Sequence, residues 1–284
     1  MTLYQGYDLQ ALEEQYDIEA TVPTIEVYRV EYGGLSEAAI KNSNPSLGVS
    51  YGSEPLQNLD IFPSDNTPSP IVVYIHGGYW KAGDKAGYGF PCAVFNQAGI
   101  TWIPINYRLA PNVSLDEIID DVRCALAWVH SNATDFGGDP DRIIVSGSSA
   151  GGHLTGMIAA KGWHSKYGLP ENVVKGVAAM SGLYDLEPFL HTSQKNYLNL
   201  DVSAVERNSP VQNLPRADLP MLIAWAGKET DEFMRQSQDY ANLCQAAGNS
   251  VETLFYKEHN HFSLGKEFSM SQSDLVKGIL ELIN

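Results

Sequence analysis

The chain alternates between short apolar runs and longer stretches in which apolar residues recur with helical period. The short runs are mostly rich in β-branched residues and lie at residues 58–62, 71–75, 100–105, 143–145, 173–180, 219–225 and 251–256. Such runs are typical of buried strands in a parallel sheet. Pro104 lies inside one of them, where we expect a bulge or a strand end because proline cannot donate to the ladder.

The stretches between these runs predict helices. Ser114 and Glu117 form a capping box that opens a helix extending to about residue 131. Its apolar residues keep helical period: Leu115, Ile118, Val122, Ala125 and Val129. Further helices are expected over residues 150–160, 232–247 and 270–283. Strands that alternate with helices predict an α/β fold, with a mostly parallel sheet covered by helices on both faces.

Two segments depart from this alternation. Residues 1–45 are polar and predict short helices within 8–17 and over 35–41, whereas residues 183–210 lack a strand pattern and predict a small helical cap. The N-terminal segment is too short to bury a core of its own. We therefore expect one domain over residues 1–284, with the N-terminal segment packed over the rest and a candidate to cover the functional site.

Charge narrows the classes of partner. Acidic side chains number 34 and basic ones 18, which gives a formal net charge of −16. This balance argues against nucleic acid and against anionic membrane surfaces, since both attract basic patches. No apolar stretch is long enough to cross a bilayer, and no signal-peptide pattern follows Met1. We expect a cytoplasmic protein that acts on a small molecule, and a homodimer remains open.

The cysteines and histidines do not predict a metal site. Cys92, Cys124 and Cys244 are widely separated and show neither metal-ligand spacing nor a disulfide framework. His259 and His261 are close enough to share a metal, but no further cluster of ligands accompanies them. We expect neither a metal nor a cofactor.

The strongest chemical signal is the G-x-S-x-G pattern formed by Gly147, Ser149 and Gly151. A serine that attacks a carbonyl must stand clear of the backbone. A sharp strand-to-helix turn achieves this but crowds the residues two before and two after the serine, so glycine is expected at both places. The pattern predicts a nucleophile elbow, and the alternative is an ordinary turn in a chain with 25 glycines.

A serine nucleophile needs a base and an acid that orients the base. Such residues follow the carboxyl ends of strands in open α/β sheets. Among the histidines after Ser149, only His259 and His261 lie between the last predicted strand and the last helix, and we choose His261 as the base. The loop after residues 219–225 offers three candidate acids: Glu229, Asp231 and Glu232. Chain order alone does not choose between Glu229 and Asp231.

Donors for an oxyanion are expected after the strand at residues 71–75. The segment there reads His76-Gly77-Gly78-Tyr79-Trp80. Its glycines allow consecutive amides to point at one oxygen, and we assign the amides of Gly78 and Tyr79 together with that of Ala150. His76 and Gly77 are expected to brace the loop. The alternative is a Gly-Gly turn with two aromatic side chains packed nearby.

With these pieces in place, the chain resembles the α/β-hydrolase superfamily. Within it, the His-Gly-Gly segment is similar to that of the esterases related to hormone-sensitive lipase. The match extends to residues 106–111, Asn-Tyr-Arg-Leu-Ala-Pro, and to residues 136–142, Phe-Gly-Gly-Asp-Pro-Asp-Arg. The resemblance therefore covers most of residues 58–284.

The variant His-Gly-Gly-Tyr-Trp resembles the kynurenine formamidase (arylformamidase) group. That group carries an acid three residues before Glu-Phe, followed by Arg-Gln-Ser, and this chain has Glu-Phe at 232–233 and Arg-Gln-Ser at 235–237. The resemblance implies that Glu229 is the acid, although Asp is commoner in such triads. The pair His261-Phe262 matches the group's His-Phe at its catalytic histidine.

The resemblance implies a serine hydrolase that removes a small acyl group, with Ser149, His261 and Glu229 as the triad. Its implied substrate is an aryl formamide such as N-formyl-L-kynurenine. Tyr79 and Trp80 are candidates to wall an aromatic leaving group, and the alternative is that one or both pack beneath the loop. A carboxylesterase for small esters is the first alternative. The second is a binding protein of the same fold that no longer catalyses, which usually lacks part of the triad.

Overall fold

An eight-stranded sheet forms the centre of the molecule in a computed structural model that describes residues 2–283. Its strand order is β1-β2-β4-β3-β5-β6-β7-β8. The strands are β1 (Ser46–Ser50), β2 (Asn58–Ile61), β3 (Ser69–Ile75), β4 (Thr101–Ile105), β5 (Gly138–Ser148), β6 (Val174–Met180), β7 (Met221–Ala226) and β8 (Val251–Tyr256). All neighbours from β4 to β8 are parallel, and β1 and β2 are antiparallel to their neighbours.

Helices flank this sheet. They are α1 (Leu9–Tyr16), α2 (Glu26–Asn42), α3 (Cys92–Gln97), α4 (Leu115–Asn132), α5 (Ala150–Ala159), α6 (Gln194–Leu198), α7 (Val202–Asn208), α8 (Asp231–Ala246) and α9 (Asp274–Glu281). Short 3₁₀ turns connect several of them. No helix within residues 2–283 is long and apolar enough to cross a membrane.

The sheet separates two hydrophobic cores, as the period of two along a strand requires. Ile71, Val73 and Ile75 of β3 lie in one core, with side chains of α4, α5 and α8. Val72 and Tyr74 lie in the other, with side chains of α3 and α9. Both faces of β3 are buried, which explains its nearly continuous apolar sequence. The predicted α/β fold with helices on both faces is confirmed.

Most predicted elements lie within a few residues of the observed ones. The capping box of α4 forms, with Ser114 accepting from the amide of Glu117. Pro104 causes no bulge and pairs in register with Tyr74. Its nitrogen faces the β2 side between the amides of Trp102 and Asn106, which donate to Phe62 O and Asn58 O, so the missing donor leaves one gap in that ladder. Strand β4 ends one residue later, at Ile105.

Two expected helices near the termini had wrong bounds, and one strand was not expected. The helix predicted over residues 35–41 is α2, which begins at Glu26 and continues through Gly33 and Gly34. Two glycines lower helix propensity, but packing of Tyr32, Ser36 and Ala39 on the body of the protein offsets this cost. Strand β1 was not predicted because its residues are mostly exposed and lack an alternating pattern. The last helix begins only at residue 274, after a 3₁₀ turn at 263–269.

Candidate active site

Ser149 occupies the turn between β5, which ends at Ser148, and α5, which begins at Ala150. Its backbone has φ 60° and ψ −123°, a conformation that non-glycine residues rarely adopt and that is characteristic of strained functional turns. Two backbone hydrogen bonds hold it: its amide donates to Met180 O (2.9 Å), and its carbonyl accepts from the amide of His153 (3.0 Å). The elbow is therefore fixed by the sheet and by α5.

Glycines surround this elbow because the backbone passes very close to them. A Cβ at Gly151 would overlap the carbonyl of Ile75, and one at Gly147 would overlap the carbonyl of Gly151. A Cβ at Gly77 would come within 2.9 Å of the Cβ of Ser149. Any side chain at these three positions would displace the serine or the neighbouring loop.

Glu229 and His261 follow β7 and β8 and meet beside the same edge of the sheet. Nδ1–H of His261 donates to Oε1 of Glu229 over 2.6 Å, and both side chains are buried. Oε2 of Glu229 accepts from the amide of Ala226 (3.2 Å). Because a carboxylate only accepts, Nδ1 carries the proton of the neutral ring, and Nε2 is left as an acceptor.

The loops after β7 and β8 run close together, which is why these two side chains meet. The amide of Gly227 donates to Tyr256 O (2.9 Å), and that of Lys228 donates to His259 O (2.9 Å). A Cβ at Gly227 would lie only 2.6 Å from the carbonyl oxygen of Lys257. Glycine at 227 thus permits the close approach that sets the Glu229–His261 distance.

The other candidate acids and the other candidate base lie in different environments. Asp231 is exposed in the first turn of α8, and Glu232 is buried in an ion pair with Arg235 (2.8 Å). His259 faces Glu267, with 3.1 Å between Nε2 and Oε1. The geometry therefore brings Glu229 and His261 together and leaves the alternatives apart.

The segment after β3 turns through three positive φ angles, 116° at Gly78, 50° at Tyr79 and 57° at Trp80. The amides of Gly78 and Tyr79 donate no hydrogen bond to any of the described residues 2–283. Ala150 is the first residue of α5, where a helix leaves its amides without an intrahelical partner. The three amides assigned to an oxyanion site are therefore available to a ligand.

His76 and Gly77 brace this loop from below. The His76 ring stacks on Tyr107 with centroids 4.4 Å apart, and its Nδ1–H donates to Gly77 O (2.7 Å). The hydroxyl of Tyr107 donates to His76 O (2.9 Å). Burial lowers the pKa of His76, which favours the neutral ring that these contacts use.

The two aromatic residues of the loop have different surroundings. Tyr79 is partly buried, and its ring lies near those of Phe189 and Phe233, with centroids 6.5 Å from each. Trp80 has no exposed surface, and its Nε1–H donates to His153 Nδ1 (3.1 Å). The prediction that Trp80 contacts substrate is wrong for this conformation, because its ring packs beneath the loop.

Phe233 is a site residue that the sequence did not identify. Its ring is fully buried, and its centroid lies 5.0 Å from that of the His261 imidazole in an edge-on arrangement. The same ring faces Tyr79, so Phe233 joins the loop of His261 to the loop of Gly78 and Tyr79. In the sequence it is one of 9 phenylalanines, and nothing in the apolar pattern distinguishes it from a core residue.

His153 gives a testable pH dependence of stability. It is fully buried, its Nε2–H donates to Asn208 O (2.7 Å), and burial lowers its pKa to about 4. The unfolded chain binds this proton below about pH 6.5. The free energy of unfolding should therefore fall as pH drops from about 6.5 to about 4, by at most about 1.4 kcal/mol per pH unit from this residue.

Urea unfolding of the native chain and of His153→Gln at several pH values would measure this contribution. The variant should lose stability less steeply in that window, because one titrating group has been removed while an amide donor remains. Burial also lowers the pKa of His76, but this residue contributes equally to the pH dependence of stability in both proteins. If the free energy of unfolding changed equally with pH in the two proteins, His153 would not take up a proton on unfolding.

A strained serine elbow, a histidine oriented by a carboxylate and free amides at the carboxyl edge of a parallel sheet define an α/β hydrolase. The chain belongs to the BD-FAE family, whose profile matches residues 59–242.

Individual relatives agree with this class. The chain is 28% identical over 296 residues to the kynurenine formamidase of Danio rerio, covering 100% of this chain and 99% of that one. It is 29% identical to esterase LipC of Mycobacterium tuberculosis, covering 71% of this chain and 55% of the other. Among solved structures, a protein of Silicibacter sp. TM1040 provisionally described as a thioesterase superposes with a TM-score of 0.82 at 27% identity, covering 95% and 98% of the two chains.

Proposed function

We propose that the protein is a serine hydrolase in which Ser149 is the nucleophile, His261 the general base and Glu229 the acid that orients the base. The observation that carries this proposal is the 2.6 Å hydrogen bond from His261 Nδ1 to Glu229. It leaves Nε2 of the ring as the acceptor that a serine hydroxyl requires. The triad stands at one edge of the sheet, after β5, β7 and β8.

The chemical steps follow from these positions. Oγ of Ser149 attacks the substrate carbonyl carbon while its proton passes to Nε2 of His261. The oxygen becomes an anion held by the amides of Gly78, Tyr79 and Ala150. His261 returns the proton to the leaving nitrogen or oxygen as the bond to the acyl carbon breaks. Water then attacks the acyl serine by the same route and releases the acid.

The substrate we propose is an aryl formamide such as N-formyl-L-kynurenine. The formamidase relative that matches the whole chain supports it. Only 7% of Ser149 is exposed, which favours an acyl group as small as formyl. Of the three aromatic rings near the oxyanion loop, those of Phe189 and Phe233 are fully buried, and Tyr79 in front of them is partly exposed. Tyr79 is therefore the ring that we propose to face an aromatic leaving group.

A carboxylesterase for small esters is the second candidate. The similarity to esterase LipC favours it, and the same triad and amides would hydrolyse either bond. The two candidates differ in the leaving group and in the acyl group that fits beside Ser149.

The substrate preference is tested with two pairs of compounds, each a formyl compound and its acetyl counterpart. We expect kcat/KM for N-formyl-L-kynurenine to exceed that for N-acetyl-L-kynurenine by about 10- to 200-fold, because one added methyl in a close-fitting pocket costs about 1–3 kcal/mol. Phenyl formate and phenyl acetate provide the same comparison for esters. Turnover of both acetyl compounds at rates similar to their formyl partners would favour a general esterase and contradict a formyl-specific site.

We propose the cytoplasm as the compartment and a small molecule as the only required partner. The three cysteines are free, as in a reduced compartment. The formal net charge of −16 disfavours nucleic acid and anionic membranes. A homodimer remains a prediction.

A further inference from the structure

The N-terminal segment contacts three loops of the proposed active site. Helix α1 bonds to the oxyanion loop at Tyr79 and to the loop that carries Glu229. Helix α2 bonds to the loop that carries His261. The serine elbow is different, because β5, β6 and α5 hold it directly.

The end of α1 makes the first two connections through adjacent residues. The hydroxyl of Tyr79 donates to the carbonyl oxygen of Tyr16 over 2.6 Å. The hydroxyl of Thr230, next to Glu229, donates to the carbonyl oxygen of Gln15 over 2.7 Å. The side chain of Gln15 accepts from the amide of Glu232 (3.1 Å). A two-residue stretch thus bonds to the oxyanion loop and to the acid loop at once.

Tyr16 is fixed by buried contacts of its own. Its hydroxyl donates to Glu232 Oε2 (2.9 Å) and accepts from Gln236 Nε2 (2.9 Å). Arg235 holds the same carboxylate through two hydrogen bonds of 2.8 and 2.9 Å. Burial together with the charge of Glu232 raises the pKa of Tyr16, so the hydroxyl stays protonated and continues to donate.

Helix α2 makes the third connection. The hydroxyl of Tyr32 donates to Phe262 O over 2.6 Å, and Asn260 Nδ2 donates to the hydroxyl of Tyr28 (2.8 Å). The Tyr28 ring stacks on Phe262 with centroids 5.8 Å apart. These contacts hold Asn260 and Phe262, the residues directly before and after His261.

We propose that Gln15, Tyr16, Tyr28 and Tyr32 form an N-terminal clamp that positions the oxyanion amides, the acid and the base relative to the rigid serine elbow. This proposal rests on the proposed function. The clamp residues are positioning residues, since they act through Tyr79, Thr230 and the 260–262 loop rather than on the substrate. The physical reason is that loops projecting from a sheet edge need such hydrogen bonds to hold the reacting groups in a productive geometry.

Two conservative variants test the clamp. Tyr79→Phe removes the hydroxyl that reaches Tyr16 and keeps both the ring and the oxyanion amide. Tyr16→Phe keeps the ring and removes the bonds to Glu232 and Gln236. For each we expect kcat to fall about tenfold with KM changed less than about twofold, which is less than the roughly hundredfold cost of a 1 Å misplacement.

Three measurements separate positioning from simple loss of folded protein. Titration with a fluorophosphonate counts reactive serines, so that kcat is expressed per active site. The affinity of a trifluoromethyl ketone, which mimics the tetrahedral intermediate, should weaken by the same factor as kcat/KM. The double variant should lose less than the product of the two single losses, because both substitutions act on one path. Tyr16→Phe loosens the residue whose carbonyl holds Tyr79, and Tyr79→Phe removes the bond to that carbonyl.

Gln10→Ala is the matched control, because Gln10 is exposed on α1 and bonds only to Glu14 (3.0 Å) among the described residues. It should keep native kcat. Native kcat per titrated serine in both tyrosine variants would overturn the clamp while leaving the hydrolase intact. Failure of the native chain both to react with the fluorophosphonate and to turn over any ester or formamide would overturn the proposed function, and the clamp with it.

Discussion

Ser149→Ala is expected to lower kcat/KM for N-formyl-L-kynurenine by about 10⁶, the loss typical of removing a serine nucleophile from an intact triad. The size of the effect follows from the proposed mechanism, because the substitution removes the attacking oxygen while His261 and the free amides remain. Residual activity would come only from the oxyanion donors and substrate binding. Initial rates on the formamide, measured at high enzyme concentration, determine the loss.

The variant should remain folded. Oγ of Ser149 makes no hydrogen bond with the rest of residues 2–283. Alanine keeps the backbone hydrogen bonds that hold the turn. Ser148→Ala is the matched control, since it removes a hydroxyl one residue earlier and should change kcat/KM by less than about threefold. An active Ser149→Ala chain with an unchanged melting temperature would show that the elbow does not supply the nucleophile.

The elements that position the candidate site could be predicted because local sequence determines them. Buried parallel strands need apolar β-branched residues, and the elbow needs glycine where a Cβ would overlap Ile75 O or Gly151 O. Both requirements leave a pattern that can be recognised in the sequence without knowing which residues lie nearby in space. The capping box of α4 is local for the same reason, since both of its hydrogen bonds join Ser114 and Glu117.

Contacts between distant parts of the chain left no such pattern. Tyr16 lies 63 residues from Tyr79 and 216 from Glu232, yet it bonds to both. A tyrosine at helical spacing predicts only an apolar face. Trp80 likewise could be placed in the oxyanion loop, but the direction of its side chain depends on His153, which reaches it from α5.

The choice of acid shows how the local sequence and the contacts between distant loops give different information. Glu229 and Asp231 are two residues apart in one loop, and their order in the chain favours neither. The family resemblance favoured Glu229, and the geometry agrees, because Glu229 alone of the two is buried beside His261. The close approach at Gly227 produces this difference, by drawing the loop after β7 against the loop after β8.

Glu229→Gln is expected to lower kcat by about 10³–10⁴, as loss of the carboxylate typically does in triads of this kind. The amide cannot stabilise the imidazolium that forms when His261 takes the serine proton, and its NH₂ group can force the ring into the wrong tautomer. The substitution keeps the size of the side chain and removes a buried charge. Because the neutral His261 ring leaves no unpaired charge, we expect the free energy of unfolding to change by no more than about 1–3 kcal/mol, the cost of one imperfect buried hydrogen bond.

Asp231→Asn is the matched control, since it makes the same change of carboxylate to amide two residues away. Asp231 is exposed in the first turn of α8, where its charge contributes about 0.3–1 kcal/mol to the helix. Its kcat should stay within about twofold of native, with only a small loss of stability. Steady-state rates and urea unfolding on the same preparations give both quantities. A large loss of kcat in Asp231→Asn with near-native turnover in Glu229→Gln would assign the acid to Asp231, and would require the loop after β7 to rearrange when substrate binds.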